Sequence, residues 1–277
     1  MKRRIITGVL AGAAFLLVLF IPWTLVLTVA NAFICLLAAY EIFTVTKVVA
    51  HRGLEITALA FAVVAPFFNR MNGGLIFVLC LLFVLALVAL LIRYHESVSV
   101  DKIGVVFLLT VLISISLSCL SYLRMTGERA SDGLLYVFLA LIMAWFSDIG
   151  AYFVGTFFGK HKLCPRISPK KTVEGLIGGI VSAVLFSLLA GWIYEQLVMG
   201  GEIGVSYGEI FVLALFCAPL SVVGDLFASI IKRRCGVKDF GNFFPGHGGM
   251  MDRFDSLLFV LPTVLLAVTE FPLVYSI

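Results

Sequence analysis

The chain has 277 residues, of which 62% are hydrophobic and only 13% are charged, and its mean hydropathy is +1.13. This composition excludes an ordinary soluble domain, because apolar runs repeatedly reach the roughly 20 residues that cross a bilayer. The formal net charge of +4 is small, and we predict a membrane-embedded protein with no nucleic-acid partner.

Nine apolar runs, separated by charged residues or by Gly and Pro, are predicted as spans. We therefore predict an all-α polytopic membrane protein of about nine transmembrane helices. It forms one integral membrane domain over 1–277, with N-terminal spans over about 1–130 and a catalytic half over about 131–277. The predicted spans are 5–21, 23–46, 54–69, 74–92, 103–123, 134–158, 173–197, 208–231 and 257–276.

The first and third predicted spans are less regular than the others. The first is followed by Pro22 and Trp23 instead of a small-residue cleavage site, so we expect it to remain as a span. The third is short and carries Pro66, so eight spans plus one interfacial or re-entrant segment is an alternative.

The basic residues fall mainly in alternate connections between the spans. The richest connections lie at 160–171 and 232–253, whereas the opposite side holds only Arg70, Arg124 and Arg129. Because Lys and Arg near span ends tend to stay in the cytoplasm during insertion, the N-terminus and both rich connections are predicted to be cytoplasmic. With nine spans the C-terminus faces outward, and with eight it faces the cytoplasm.

In chain order, the first polar residue of interest is Asp148, at the edge of or inside the sixth span. A carboxylate in hydrocarbon is costly, so such groups usually face a protein interior or a wet cavity and mark a function. The alternative is an Asp that caps a helix break or pairs with Lys160.

The second polar segment begins at Ser168. We predict a helix start here, with Ser168 as N-cap and Pro169 at the first helical position. Free backbone amides at a helix start favour anions, and Lys170 and Lys171 would complete a phosphate-binding site. Alternatively, the two lysines only reflect the cytoplasmic bias of basic residues.

The third polar segment combines a helix and a glycine-rich turn. Asp225, Ser229 and Lys232 have the spacing of one helix face. The turn at 245–249 permits close backbone approach to a ligand. Asp252 and Asp255 follow it and are neighbours on the next helix face if that helix has begun. The alternative is a solvated loop whose acids and bases pair with one another.

Clustered carboxylates without cysteine ligands, and histidines without paired ligand spacing, favour Mg²⁺ over zinc. Nearby lysines and arginines suit phosphate groups, so we predict a magnesium-bound polyphosphate site and phosphoryl or nucleotidyl transfer. His247 either acts directly or hydrogen-bonds within its turn.

At these residues the chain resembles the phosphatidate cytidylyltransferase family, also called CDP-diglyceride synthetases. The family's C-terminal signature is met without departure by Ser229, Lys232, Arg233, Lys238, Asp239, Gly241, Pro245, Gly246, His247, Gly248, Gly249, Asp252, Arg253 and Asp255. Upstream likeness lies at Ser147-Asp148, Ala151-Tyr152, 168–175 and Gly224-Asp225. The resemblance covers roughly the C-terminal half of the chain.

The resemblance implies transfer of CMP from CTP to phosphatidic acid, giving CDP-diacylglycerol and pyrophosphate. It implies a Mg²⁺-dependent integral enzyme of the bacterial inner membrane, with its active site on the cytoplasmic side, in a family where dimers occur.

The resemblance also implies a two-cation centre, with K⁺ as a candidate second ion, and it maps to Asp225 and Asp252 as metal ligands. Asp148 and Tyr152 are expected to line the cavity. The expected catalytic residues are Asp225, Asp252, Lys232, Arg233 and Asp255, and the expected phosphate-binding residues are Ser168, Lys170, Lys171, Ser229, Lys238, His247, Gly248, Gly249 and Arg253.

Two other functions fit parts of the pattern. A cation-coupled secondary transporter would also use intramembrane Asp148 and Asp225. A CTP-dependent lipid kinase would use the same metal and phosphate groups but would transfer the terminal phosphoryl group.

Overall fold

The computed structural model describes residues 2–49, 51–244, 246 and 248–276, with side chains at 8 and from 10 to 275 within those ranges. The chain forms two compact units. The first unit is Met1–Tyr122 with Arg234–Phe254, and the second unit is Leu123–Arg233 with Asp255–Ile277.

The first unit is built from long apolar helices and one short helix near its end. Its helices are α1 (Lys2–Phe20), α2 (Thr24–Thr46), α3 (Arg52–Val64), α4 (Gly73–Arg93), most of α5 (Val100–Met125) and the short α9 (Met251–Phe254). A 3₁₀ turn at Ala65–Arg70 follows α3 where Pro66 occurs, because proline cannot donate the next helical hydrogen bond.

The second unit combines helices with two small antiparallel strand pairs. Its helices are α6 (Ala130–Phe158), α7 (Val173–Ile193), α8 (Tyr207–Arg234) and α10 (Leu257–Glu270), and a π turn at Tyr194–Val198 extends α7. Strand β1 (Lys162–Cys164) pairs with β2 (Ser168–Thr172), and β3 (Ile203–Val205) pairs with β4 (Val274–Ser276).

Helices α6 and α7 pack closely because glycines line their contact. A Cβ atom at Gly179 would lie 2.7 Å from the backbone oxygen of Ser147, and one at Gly175 would lie 2.8 Å from that of Ala151. A Cβ at Gly150 would overlap Ser182 of α7. Small residues let the backbones of membrane helices approach in this way. The glycines at 175–179 therefore pack against a helix of the same chain.

The described residues contain seven helices that are long and apolar enough to cross a membrane, between Thr24 and Arg234. Two shorter apolar helices, Leu10–Phe20 and Leu257–Glu270, coincide with the first and last predicted spans. The all-α membrane architecture is confirmed, and the weak third span corresponds to the candidate Arg52–Arg70. The count of nine and the cytoplasmic N-terminus stay predictions.

Candidate active site

The segment from Ser168 to Thr172 is a strand, so the prediction of a helix start at Ser168 is wrong. Helix α7 begins at Val173, and Thr172 is its N-cap, with Oγ1 accepting a hydrogen bond from the Gly175 amide at 3.1 Å. Pro169 disfavours helical backbone at Ser168, and β1 supplies a partner strand, with Cα of Cys164 opposite that of Ser168. The two lysines are therefore presented by a hairpin.

The hairpin is fixed to the start of α7 by Glu174. Its carboxylate accepts hydrogen bonds from the backbone amides of Lys160 and His161, at 3.1 and 3.2 Å. It also lies 2.6 Å from Nδ1 of His161. These contacts hold the entry to β1 against the helix that follows β2.

A pocket of about 270 Å³ lies in the second unit, between this hairpin and helices α6, α7 and α8. Six of the predicted site residues line it, namely Asp148, Tyr152, Ser168, Lys170, Lys171 and Asp225. The rest of the wall is mainly apolar or small, formed by Ala151, Leu163, Thr172, Gly175, Leu176 and Val222. The pocket thus combines charged groups of both signs with an apolar surface.

Among the residues that line the pocket, Lys171 and Asp225 form a salt bridge. The Lys171 Nζ atom lies 2.7 Å from Oδ2 of Asp225 and donates to the backbone oxygen of Val222 at 3.4 Å. Ser229, one turn further along α8, donates to Oδ1 of Asp225 at 3.3 Å. The predicted shared face of Asp225 and Ser229 is confirmed.

Asp148 lies within the uninterrupted helix α6, which excludes the alternative of a cap at a helix break. Its carboxyl interacts electrostatically with Asp225 and Lys171, and the side chains of Ser256 and Ser221 lie near it. The nearby cation is thus Lys171, not the Lys160 of the alternative interpretation.

Asp255 and Lys232 form a second acid–base pair in the same unit. Both are 8% exposed, and Nζ of Lys232 lies 3.7 Å from Oδ2 of Asp255. The Ser256 amide donates to Oδ1 of Asp255 at 2.9 Å. The pKa of Asp255 is raised to about 7, mainly because the carboxyl is buried. The nearby acids Asp225 and Asp148 also raise this pKa, whereas Lys232 lowers it. Three acids and two lysines thus share this part of the second unit.

The glycine-rich loop before α9 belongs to the first unit and is organised by Asp252. Oδ2 of Asp252 accepts from the amides of Phe240 and Gly249, at 2.7 and 3.0 Å. Gly246 and Gly248 both have φ of +83°, a conformation that glycine adopts without strain. His247 lies outside the described residues. Lys238 and Arg253 are exposed, as is Arg233 of the second unit.

Glu41 is a buried carboxylate beside the glycine-rich loop that the sequence did not single out. It lies in α2, is 8% exposed, and accepts hydrogen bonds from the amides of Met250 and Met251, each at 2.9 Å. The available signal was a carboxylate inside an apolar span, the same signal that drew attention to Asp148.

Comparison with known sequences identifies the family of this chain. A model described as the cytidylyltransferase family matches residues 2–271. The chain belongs to this family. It is 35% identical over 270 residues to a phosphatidate cytidylyltransferase of Bacillus subtilis strain 168, covering 95% of each chain. It is 43% identical over 135 residues to one from Staphylococcus aureus strain COL, covering 49% of each. The resemblance noted in the C-terminal half, and with it the nucleotidyltransferase class, is confirmed.

For a cytidylyltransferase, the donor atoms in the second unit suit magnesium. Mg²⁺ at nucleotide sites typically takes one or two carboxylates and completes its coordination with phosphate oxygens and water. Within the described part of the chain, no three His, Cys, Asp or Glu side chains are grouped to hold a metal ion by themselves. Asp225, beside the lysines of the pocket, fits an ion shared with phosphates better than a closed protein site. Magnesium at Asp225 and Asp252 stays a prediction.

Proposed function

We propose that this protein transfers the cytidylyl group from CTP to phosphatidic acid, forming CDP-diacylglycerol and pyrophosphate at the inner membrane of a bacterium. The observation that carries the proposal is the pocket of the second unit, where Lys170, Lys171 and Ser168 face Asp148 and Asp225 beside an apolar wall. The lysines and the Ser168 hydroxyl can bind phosphate groups, and the apolar wall can contact the acyl chains of a lipid. The name carried by the similar bacterial proteins supports the same reaction.

The proposed reaction balances without a strong general base. A phosphate oxygen of phosphatidic acid forms a bond to the α-phosphorus of CTP, and the bond from that phosphorus to the oxygen bridging to the β-phosphorus breaks. The nucleophile is already anionic near neutral pH, so positioning and charge neutralisation supply most of the acceleration.

In the proposed reaction, the charged side chains bind phosphate and magnesium. Lys171 holds a phosphate and exchanges its contact with Asp225 for that phosphate when substrate binds. Lys232 and Arg233 bind the phosphates of CTP, and Asp255 orients Lys232. Asp225 and Asp252 are the proposed carboxylate ligands of Mg²⁺, which would offset charge on the non-bridging phosphate oxygens when bound. The second cation and the dimer stay predictions.

The deciding experiment uses the purified full chain with phosphatidic acid and CTP labelled on either the α- or the γ-phosphate. Cytidylyl transfer carries the α label into the lipid fraction, whereas a lipid kinase would carry the γ label there. We expect α label in lipid only with Mg²⁺, and a loss of at least about 100-fold in Asp225→Asn and Asp252→Asn.

The matched control is Asp101→Asn, an exposed carboxylate at the start of α5, which should keep wild-type turnover. If folded wild-type protein transfers neither label, the enzyme proposal fails and ion-coupled transport becomes the alternative to test. Normal turnover in both aspartate variants would refute the carboxylate assignment alone.

A further inference from the structure

Glu41 has an unusually enclosed carboxylate for a residue in an apolar helix. Two glycines of the loop before α9 face it, and a Cβ atom at either Gly241 or Gly249 would overlap its carboxyl oxygens. Glycine at both positions lets the loop backbone close around the carboxylate. The two ends of the loop therefore meet at this one side chain of α2.

Three consecutive amides of the loop end are fixed by two carboxylates. The Gly249 amide donates to Asp252, and the next two, of Met250 and Met251, donate to Glu41. Asp252 also accepts from Phe240, at the other end of the loop. The backbone that orients the Asp252 side chain is thus held by Glu41 at the adjoining peptide groups.

Simple capping of two amides does not require an acid at this position. A carboxylate within an apolar span costs several kcal/mol, whereas a hydroxyl or carboxamide would satisfy a backbone amide at a smaller penalty. A carboxylate differs in offering two equivalent acceptors with one fixed orientation. This suits a group that must hold the loop in a single arrangement.

We propose that Glu41 is a positioning residue of the active site, which sets Asp252 and the two loop ends at 240–241 and 249–251 for phosphate and magnesium binding. The inference rests on the proposed function, in which Asp252 ligates magnesium. Removing a partner that orients a metal ligand typically lowers metal affinity or activity by about 10- to 100-fold.

The test compares wild type, Glu41→Gln and Gly241→Ala with the control Thr28→Val, all as full-length protein in detergent or nanodiscs. The Gln side chain offers one acceptor oxygen for two amides, and the Ala methyl group would displace the Glu41 carboxylate without changing it. Thr28 of α2 is buried as well, and among the described residues its hydroxyl donates to the backbone oxygen of Thr24 in the same helix. Two measurements are made: hydrogen exchange across 240–252, and CDP-lipid formation as a function of Mg²⁺ concentration.

We expect faster exchange confined to 240–252 in both loop variants, turnover lowered about 10- to 100-fold, and a higher Mg²⁺ concentration for half-maximal turnover. Thr28→Val should match wild type in each measurement. A merely structural role would reduce the amount of active protein and leave the Mg²⁺ requirement unchanged, and that result would overturn the inference. Unchanged exchange at 240–252 would overturn it as well.

The two proposals fail in different ways. If wild type makes no CDP-lipid, the proposed function fails, and exchange alone then decides whether Glu41 holds the loop. If wild type is active and Glu41→Gln equals it in turnover and Mg²⁺ requirement, only the role of Glu41 fails.

Discussion

In the proposed reaction, Lys171 holds a substrate phosphate beside the acids of the second unit. Its ammonium group lies 2.7 Å from Oδ2 of Asp225, its side chain is 20% exposed, and it lines the pocket. Lys171→Met keeps a long unbranched side chain, one atom shorter, and removes the charge. We expect turnover to fall about 100-fold, because a phosphate clamp acts mainly in the transition state. CDP-lipid assays on this variant and on Lys162→Met, an exposed lysine of β1, check the prediction; equal losses in both would contradict it.

Lys232 should stabilise the protein in a pH-dependent way through Asp255. The pKa of Asp255 is raised to about 7, so the folded state keeps a proton that the unfolded state releases near pH 4. The contribution of Asp255 to the free energy of unfolding therefore falls as the pH rises from about 4 to 7. Lys232→Met removes the opposing cation, raises this pKa further, and leaves a buried carboxylate unpaired at high pH, at a cost of about 3 kcal/mol.

The measurement is the apparent melting temperature at pH 6 and pH 8. We expect Lys232→Met to lose more at pH 8 than at pH 6, and a second change, Asp255→Asn, to restore most of the loss. Turnover should stay low in the double variant, because the proposed reaction also uses Lys232 to bind phosphate. A loss that is the same at both pH values would show that the pair carries no such charge coupling.

At this scale, local contacts were predictable and long-range contacts were not. The spacing of Asp225 and Ser229 places them on one helical turn whatever else the chain does, and the structure has their hydrogen bond. The bond from Met250 to Glu41 joins residues 209 positions apart, and no helical or strand period relates them. Such a contact depends on tertiary packing, which one sequence does not encode in a readable pattern.

At the scale of elements, the glycines between α6 and α7 set how closely the hairpin and pocket are held. Gly179→Ala would place a methyl carbon 2.7 Å from a backbone oxygen of α6, which cannot rotate away. We expect destabilisation of about 1 to 3 kcal/mol, as in other overpacked cores, and a lower melting temperature.

The matched control is Gly208→Ala in α8, where an added Cβ meets no atom within 4 Å. This change should be neutral or slightly stabilising, because alanine favours helix more than glycine does. Equal melting temperatures for the two variants would refute the close-packing account.

Hydropathy predicts the long apolar helices but not the short polar elements that connect them. The long apolar helices were predictable because crossing a bilayer requires a minimum apolar length. The strand Ser168–Thr172 was missed because Ser-Pro followed by polar residues has the pattern of a helix start. The pairing of β2 with β1 and the cap by Thr172 decided against that pattern. Strands of three and five residues are too short for their alternation to be recognised in the sequence.

At the scale of the whole molecule, the substrates demand access from two phases. CTP is dissolved in the cytosol, whereas the acyl chains of phosphatidic acid keep that substrate in the bilayer. The connection between α6 and α7 carries the pocket lysines and is rich in basic residues, so the prediction is that it faces the cytoplasm. Because α7 is long and apolar enough to cross the membrane, the connection between α7 and α8 should lie on the opposite side.

Cysteine labelling tests this orientation in a background where the half-buried Cys164 and Cys235 are changed to serine. Lys162→Cys and Glu202→Cys each add one thiol at an exposed position in one of the two connections, and the remaining four cysteines lie within the apolar helices α2, α4, α5 and α8. A membrane-impermeant maleimide should label Glu202→Cys in intact spheroplasts and Lys162→Cys only after permeabilisation. The reverse pattern would put the pocket lysines on the side without CTP and would refute the proposed reaction in cells. Labelling of both positions from one side would instead show that α7 does not cross the membrane, because a crossing helix must separate its two ends by the roughly 30 Å hydrocarbon core.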